Sequence, residues 1–370
     1  MILQPKSGKA EPNKAEPNKG RGAVTNPAGR FEPTRRVADD DGWGEHDDAD
    51  FAPAPLRTTV SPDRSRSVIT RNNSPDVGFS QSINPYRGCE HGCVYCYARP
   101  SHAYLGLSPG LDFESKLFTK HDAAAVLERE LSRPGYRCDV IALGTNTDPY
   151  QPIERERQIT RRILEVLARC NHPVSIVTKS ALILRDLDIL GDMAARGLAS
   201  AMISVTTLDR GLARRMEPRA ATPSRRLEAI RALNEAGVPA GVMAAPIIPG
   251  LTDHEIEPIL AAAGRAGACA AGFTLVRLPH EIKDLFRNWL AAHAPLRAAH
   301  VERLIRETRG GKLNDPDFGS RMRGTGPYAE QIRQRFSLAC KRFGIPRRFP
   351  ALDTAQFRPP SKPSAQLSLF

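Results

Sequence analysis

The sequence predicts an α/β protein, a partial (β/α)6 barrel with a helical C-terminal extension and disordered termini. Three observations predict it. Short, continuous apolar runs alternate with helix-like stretches through the middle of the chain; glycines fall where those helices should stop; and polar clusters sit just after the apolar runs. Continuous apolar strands separated by helices imply a parallel sheet covered by helices. Six strand–helix units suit an open or partial α/β barrel, with a doubly wound sheet as the alternative. Either puts active residues at the C-terminal ends of the strands.

Taken in order, residues 1–70 read as a disordered segment. Residues 10–14 (AEPNK) repeat at 15–19, an acidic run follows, and prolines and charges dominate without apolar periodicity. The core is expected over 71–300. Strands are expected at 79–84, 140–143, 174–177, 202–205, 241–245 and 273–276, and helices at 122–131, 154–168, 184–195, 224–236 and 253–266. Ser224 is a candidate N-cap, and Gly237 and Gly267 stand at expected helix stops. A helical extension over 301–345 and a flexible tail over 346–370 complete the chain.

Composition narrows the class. The 370 residues carry 53 Lys+Arg against 41 Asp+Glu, a net charge of +12, and 41% are hydrophobic. No apolar run approaches the ~18–20 residues of a membrane span, and the N-terminus lacks the apolar block of a secretory signal. Seven cysteines are too few for a stapled fold. A cytoplasmic protein with reduced thiols is expected, neither membrane-bound nor secreted. The first 70 residues are charge-neutral, so the excess lies downstream, with 13 Lys/Arg against 5 Asp/Glu between Arg297 and Arg348. A basic surface favours an anionic partner, nucleic acid first.

The strongest motif is Asn84-Pro85-Tyr86-Arg87-Gly88-Cys89-Glu90-His91-Gly92-Cys93-Val94-Tyr95-Cys96-Tyr97. Three cysteines at C-x3-C-x2-C in a glycine-containing loop make a soft-metal site. Cys138, Cys170, Cys269 and Cys340 are isolated, so no second pair completes a zinc site. Three thiolates leave one iron of a [4Fe–4S] cube open to another ligand. A zinc loop with His91 or His102 as fourth ligand is the alternative.

This motif closely resembles that of the radical S-adenosylmethionine superfamily, including aromatic Tyr95 before the third cysteine. The resemblance runs over roughly residues 75–300. It takes in Thr147-Asp148-Pro149-Tyr150-Gln151-Pro152-Ile153-Glu154, Thr178-Lys179-Ser180, Ser204-Val205-Thr206-Thr207, Glu217-Pro218, Pro246-Ile247-Ile248-Pro249-Gly250 and Arg277-Leu278-Pro279. Together these look like the spore photoproduct lyase-like, DNA-repair-photolyase-like branch. The resemblance implies a [4Fe–4S] cluster on Cys89, Cys93 and Cys96, with S-adenosylmethionine on its open iron. It implies a low-potential electron donor, reductive cleavage to a 5′-deoxyadenosyl radical, and hydrogen abstraction from substrate. It puts Thr147 and Asp148 at the amine of the cofactor, Ser204 and Thr206 at its ribose and carboxylate, and Tyr95 and Ile248 beside its adenine. Arg226 or Lys179 would pair with the carboxylate.

The resemblance departs at one point. Spore photoproduct lyase uses a hydrogen-donating cysteine just after its second strand, where this sequence reads Leu143-Gly144-Thr145-Asn146. Tyr97, Tyr104 and Tyr150 are candidates to relay a radical instead. At the far end, Gln366-Leu367-Ser368-Leu369-Phe370 follows a Pro/Ser-rich spacer and resembles the bacterial sliding-clamp-binding peptide. The expected function is radical chemistry on nucleic acid. The same chemistry on a protein, peptide or small molecule is one alternative, and a non-catalytic metal-stabilised nucleic-acid-binding module is another.

Overall fold

A computed structural model describes residues 20–32 and 56–360. Its strands are β1 (Thr59–Pro62), β2 (Ile69–Arg71), β3 (Gln81–Ile83), β4 (Tyr86–Arg87), β5 (Lys116–Thr119), β6 (Ile141–Leu143), β7 (Val174–Thr178), β8 (Ala199–Ser204), β9 (Ala240–Ile247) and β10 (Ala271–Leu275). Its helices are α1 (Leu111–Ser115), α2 (Ala123–Leu131), α3 (Glu154–Arg157), α4 (Ile159–Arg169), α5 (Leu187–Ala195), α6 (Arg210–Met216), α7 (Pro223–Glu235), α8 (Ile256–Arg265), α9 (Ile282–His293), α10 (Pro295–Glu307) and α11 (Gly326–Arg342).

The main sheet has seven strands in the order β10-β9-β8-β7-β6-β3-β2. All are parallel except β2, which pairs antiparallel with β3 along one edge. The six parallel strands follow chain order without the reversal that defines a doubly wound sheet. Helices keep the same order: α2 packs on α4, α4 on α5, α7 on α8, and α8 on α11. The sheet is open, with β2 and β10 as its edges. A second sheet, β1-β5-β4, lies beside the cysteine loop.

Local chemistry accounts for the boundaries. Thr222 caps α7 and Pro223 opens it, so the cap lies two residues before Ser224. Proline is preorganised for that first helical position. Gly237 takes φ +78° and Gly267 φ +79°, the left-handed conformation that ends α7 and α8. The single helix expected at 154–168 is two, because Gln158 adopts φ 50° between α3 and α4.

Four expectations need correction. Among the described residues of the segment 1–70, residues 21–24 are buried, β1 lies inside it and β2 begins in it. The boundary at residue 300 cuts α10, whose Val301, Leu304 and Ile305 pack toward the core. The tail from 346 is docked as far as residue 360. Ala271 donates to the Pro346 carbonyl at 2.8 Å, Asp353 to Gly197 at 3.1 Å and Arg358 to Cys170 at 2.8 Å, while Phe357 packs on Tyr136 and His172. The basic 297–348 stretch is partly neutralised, since Arg303, Arg306, Arg321, Arg333 and Arg335 all hold carboxylates. The Gln366-to-Phe370 motif lies outside the described residues.

One further edge contact matters. Among the described residues β10 has only β9 as a strand neighbour, and its other side is met by non-strand backbone. Besides the Ala271–Pro346 bond, Leu275 donates to the Met322 carbonyl at 2.9 Å.

Candidate functional site

The cysteine loop leaves β4 through Gly88, at φ +76°. A Cβ there would lie 2.6 Å from Leu117 Cδ2 and 2.8 Å from the Phe113 carbonyl oxygen, so no side chain fits. Cys89 then donates its amide to that Phe113 carbonyl at 2.9 Å. Cys89 and Cys93 are buried and Cys96 is half-buried. Gln151 brackets the first cysteine: its Oε1 accepts from the Glu90 amide at 2.8 Å and its Nε2 donates to the Gly88 carbonyl at 3.2 Å. Arg99, wholly buried, donates to the carbonyls of Cys93 at 2.8 Å and Gly92 at 3.1 Å, and pairs with buried Glu114 at 2.5 Å. The sequence motif contains Gln151 without marking its role, and Arg99 and Glu114 carry no sequence signal at all.

The strand-end residues singled out from sequence form one connected set. Asp148, after β6, accepts from the Thr178 hydroxyl at 2.6 Å and the Lys179 amide at 2.8 Å, and faces His91 Nδ1 at 3.2 Å. Burial alone would push its carboxyl up, but His91, Thr178 and the Lys179 amide outweigh that and hold it near 2. Thr147 is buried and donates to the Tyr86 carbonyl at 3.2 Å. The Lys179 ammonium lies 5.8 Å from the Tyr95 ring centroid, with no carboxylate partner among the described residues. Tyr95, Ile248 and Cys93 share one buried apolar cluster.

Thr206, after β8, donates to Glu217 at 2.6 Å, and the Tyr95 hydroxyl donates to the same carboxylate. Arg226 pairs with Glu217 and donates to the Ser204 carbonyl at 3.1 Å and the Ala221 carbonyl at 2.7 Å. Its guanidinium thus already has a protein carboxylate, unlike the free partner expected from sequence. Lys179 remains the cation open to an added carboxylate. Of the tyrosines proposed to relay a radical, Tyr97 follows Cys96 directly and donates to the Thr145 carbonyl. Tyr104 is 72% exposed against Phe31, and Tyr150 is fully buried.

The donor set discriminates between metals. His91 Nδ1 faces Asp148, and His102 Nε2 is bonded to the Lys116 carbonyl at 2.9 Å. Among the described residues no three His, Cys, Asp or Glu side chains close on the single point a lone zinc ion needs. Three sulfurs on one loop suit a cluster that spreads its ligands over several irons. Burial pushes the Cys89 and Cys93 thiols up, although Lys179 draws Cys93 back. Metal binding there would displace protons from buried thiols. The neighbouring unpaired ammonium and the Tyr95–Ile248 wall fit a ligand bearing both a carboxylate and an apolar ring.

Comparisons with known proteins agree with this chemistry. The model of the Radical SAM superfamily matches residues 83–263. The uncharacterised Mycobacterium tuberculosis protein Rv2578c is 38% identical over 236 residues, covering 63% of this chain and 69% of its own. A Methanocaldococcus jannaschii protein, MJ0683, is 28% identical over 178 residues, covering 48% and 64%. Spore photoproduct lyase complexed with dinucleoside spore photoproduct shares the fold, with a TM-score of 0.55 at 16% identity over 77% of this chain and 78% of that one. A mutant of that lyase with bound AdoMet and the same dinucleoside aligns with a TM-score of 0.53. With three thiols on one loop, an unpaired ammonium beside them and these relatives, the chain belongs to the radical SAM superfamily, whose cofactors are a [4Fe–4S] cluster and S-adenosylmethionine.

Proposed function

We propose that the protein directs radical S-adenosylmethionine chemistry at a nucleic acid, in repair or modification, from the mouth of an open, partial (β/α)6 barrel. Cys89, Cys93 and Cys96 would hold the cluster, Lys179 the cofactor carboxylate, and Tyr95 and Ile248 its ring. Bound together and given one electron by a low-potential donor, these cofactors would supply a 5′-deoxyadenosyl radical able to remove a hydrogen atom from substrate. The chain's own part is to orient the groups, to exclude water with the apolar cluster around Cys93, and to hold the substrate.

The observation that carries the substrate reading is Arg277. It follows β10, and its guanidinium lies 5.5 Å from the ring centroid of half-exposed Tyr97, next to Cys96. Its Nε is buried without a hydrogen-bond partner, its one polar contact is the Met322 sulfur at 3.6 Å, and it makes no ion pair among the described residues. An unpartnered arginine stacked on an accessible aromatic ring suits a phosphate beside a base. Likeness in fold to a lyase complexed with a dinucleoside spore photoproduct supports the same class. Thr145 in place of a thiol argues against a cysteine-dependent lyase cycle. A clamp-binding tail ending in Leu369 and Phe370 would add recruitment to DNA.

The test is 5′-deoxyadenosine release by anaerobically reconstituted protein, given S-adenosylmethionine and dithionite as the electron source and offered DNA or RNA oligonucleotides or peptides. Release should rise with an oligonucleotide and fall with added salt, and Arg277→Ala should flatten the salt slope by about one. A rise with peptides alone would transfer the reading to a protein substrate. No cleavage by iron-loaded protein would favour the non-catalytic module.

A further inference from the structure

The Arg21–Val24 segment passes the Gly92–Val94 backbone of the cysteine loop at main-chain contact distance at Gly22. A Cβ on Gly22 would stand 1.8 Å from the Gly92 carbonyl oxygen and 3.4 Å from the Val94 amide nitrogen. No residue but glycine fits there. The strap is fixed by the Glu114 carboxylate, which accepts from the Gly22 amide at 2.9 Å and the Ala23 amide at 2.8 Å. Arg21 donates to the Glu114 carbonyl at 2.7 Å and to the Leu56 carbonyl at 2.8 Å. Arg21 is 8% exposed and Ala23 0%.

Glu114 also holds Arg99, the residue that grips the Gly92 and Cys93 carbonyls. A buried carboxylate needs all its partners, because burying one unpaired costs several kcal/mol. Strap, Glu114, Arg99 and the peptide groups around Cys93 therefore form one unit. Lifting the strap removes two donors from Glu114 and uncovers the backbone between the first two cysteines.

We propose that the Arg21–Val24 strap is a working part of the cluster site. Glu114 and Arg99 act as positioning residues through which it holds the Cys93 peptide in place and keeps water off the cluster loop. Water reaching a cluster solvates its more highly charged reduced state, so the strap holds the reduction potential low and slows loss of iron in air. The inference rests on the cluster assignment, which anaerobic iron uptake by every variant checks separately.

The experiment uses the full-length, reconstituted protein with Gly22→Ala, and with Arg21→Ala as a second variant that adds no atom. Gly78→Ala is the control, since a Cβ there meets nothing within 4 Å. The expected result is wild-type iron after anaerobic loading in all three. In Gly22→Ala, trypsin should cut after Arg21 about ten-fold faster or more, since cutting tracks the opened population. Both strap variants should lose iron in air several-fold faster and show a raised midpoint potential, while the control matches wild type. Unchanged potential and iron retention once Arg21 has become cleavable would overturn the proposal. So would wild-type protein cut at Arg21 as fast as at exposed Arg66, or variants unchanged by every measure.

Discussion

Glu217 and Arg226 form an ion pair whose side chains are 0% and 1% exposed, and the Tyr95 and Thr206 hydroxyls both donate to the same carboxylate. The pair joins α7 to the end of β8 through the Ser204 carbonyl. It is therefore the floor on which Tyr95 stands.

Removing one partner should be worse than removing both. Glu217→Ala strands a buried guanidinium and should lower unfolding free energy by about 3–5 kcal/mol. The double variant Glu217→Ala/Arg226→Met should lose less than either Glu217→Ala or Arg226→Met alone. Urea unfolding of the four proteins measures this, and single losses under about 1 kcal/mol would remove the pair from the framework.

Gln151→Leu should leave the Glu90 amide and the Gly88 carbonyl buried without partners. A loss of about 1–3 kcal/mol is expected, together with less iron per chain after reconstitution, because both groups flank Cys89. Wild-type iron content would show that Cys89 is positioned without this bracket.

Cys93→Ala should retain the fold but bind markedly less iron than wild type after anaerobic loading, and should form no 5′-deoxyadenosine. The apolar cluster around Cys93 accepts a methyl group in place of a thiol, so folding and cluster binding separate in this variant. Undiminished cleavage of S-adenosylmethionine would refute the three-thiol site.

His172 should make stability depend on pH. Burial pushes its ring down from 6.5 to about 4. Between those values the unfolded chain takes up a proton that the folded chain refuses, so stability is complete above about 6.5 and declines as pH falls toward 4. The loss should be on the order of 1–3 kcal/mol. His172 packs against Phe357 and bonds to Tyr136 at 2.8 Å, so the docked end of the chain should loosen with it. In His172→Phe, melting temperature should fall less between pH 7 and 4.5; an unchanged profile would trace the titration to other groups.

Periodicity revealed the parallel strands because buried parallel strands are apolar throughout. β7 and β9 lie within a few residues of their expected positions, and Gly237 and Gly267 end their helices as read. The cysteine spacing points to the candidate site because ligating side chains are residue types that a sequence displays directly. Much of what the sequence leaves unmarked works through the main chain, and the buried Arg99–Glu114 pair depends on tertiary packing. Gly22 and Ala23 act by amide groups and by lacking bulk, which leaves no pattern in a Pro- and charge-rich stretch. Residues 346–360 dock by carbonyls and amides as well, so composition alone classed them with the tail. Arg226 was legible as a cation, but its partner Glu217 depends on how α7 packs against β8.

The side of β10 that pairs with no strand among the described residues bears on how the protein can be handled. An outer strand with free amides and carbonyls is a template for self-association. Here the Pro346 and Met322 carbonyls occupy the Ala271 and Leu275 amides, and Arg347 lies over Phe273 and Phe336. Shortening the chain to residue 345 would strip off the first cover and the arginine together. The shortened protein would present a flat, partly aromatic border to its neighbours and precipitate, whereas an end point at residue 360 keeps that border closed.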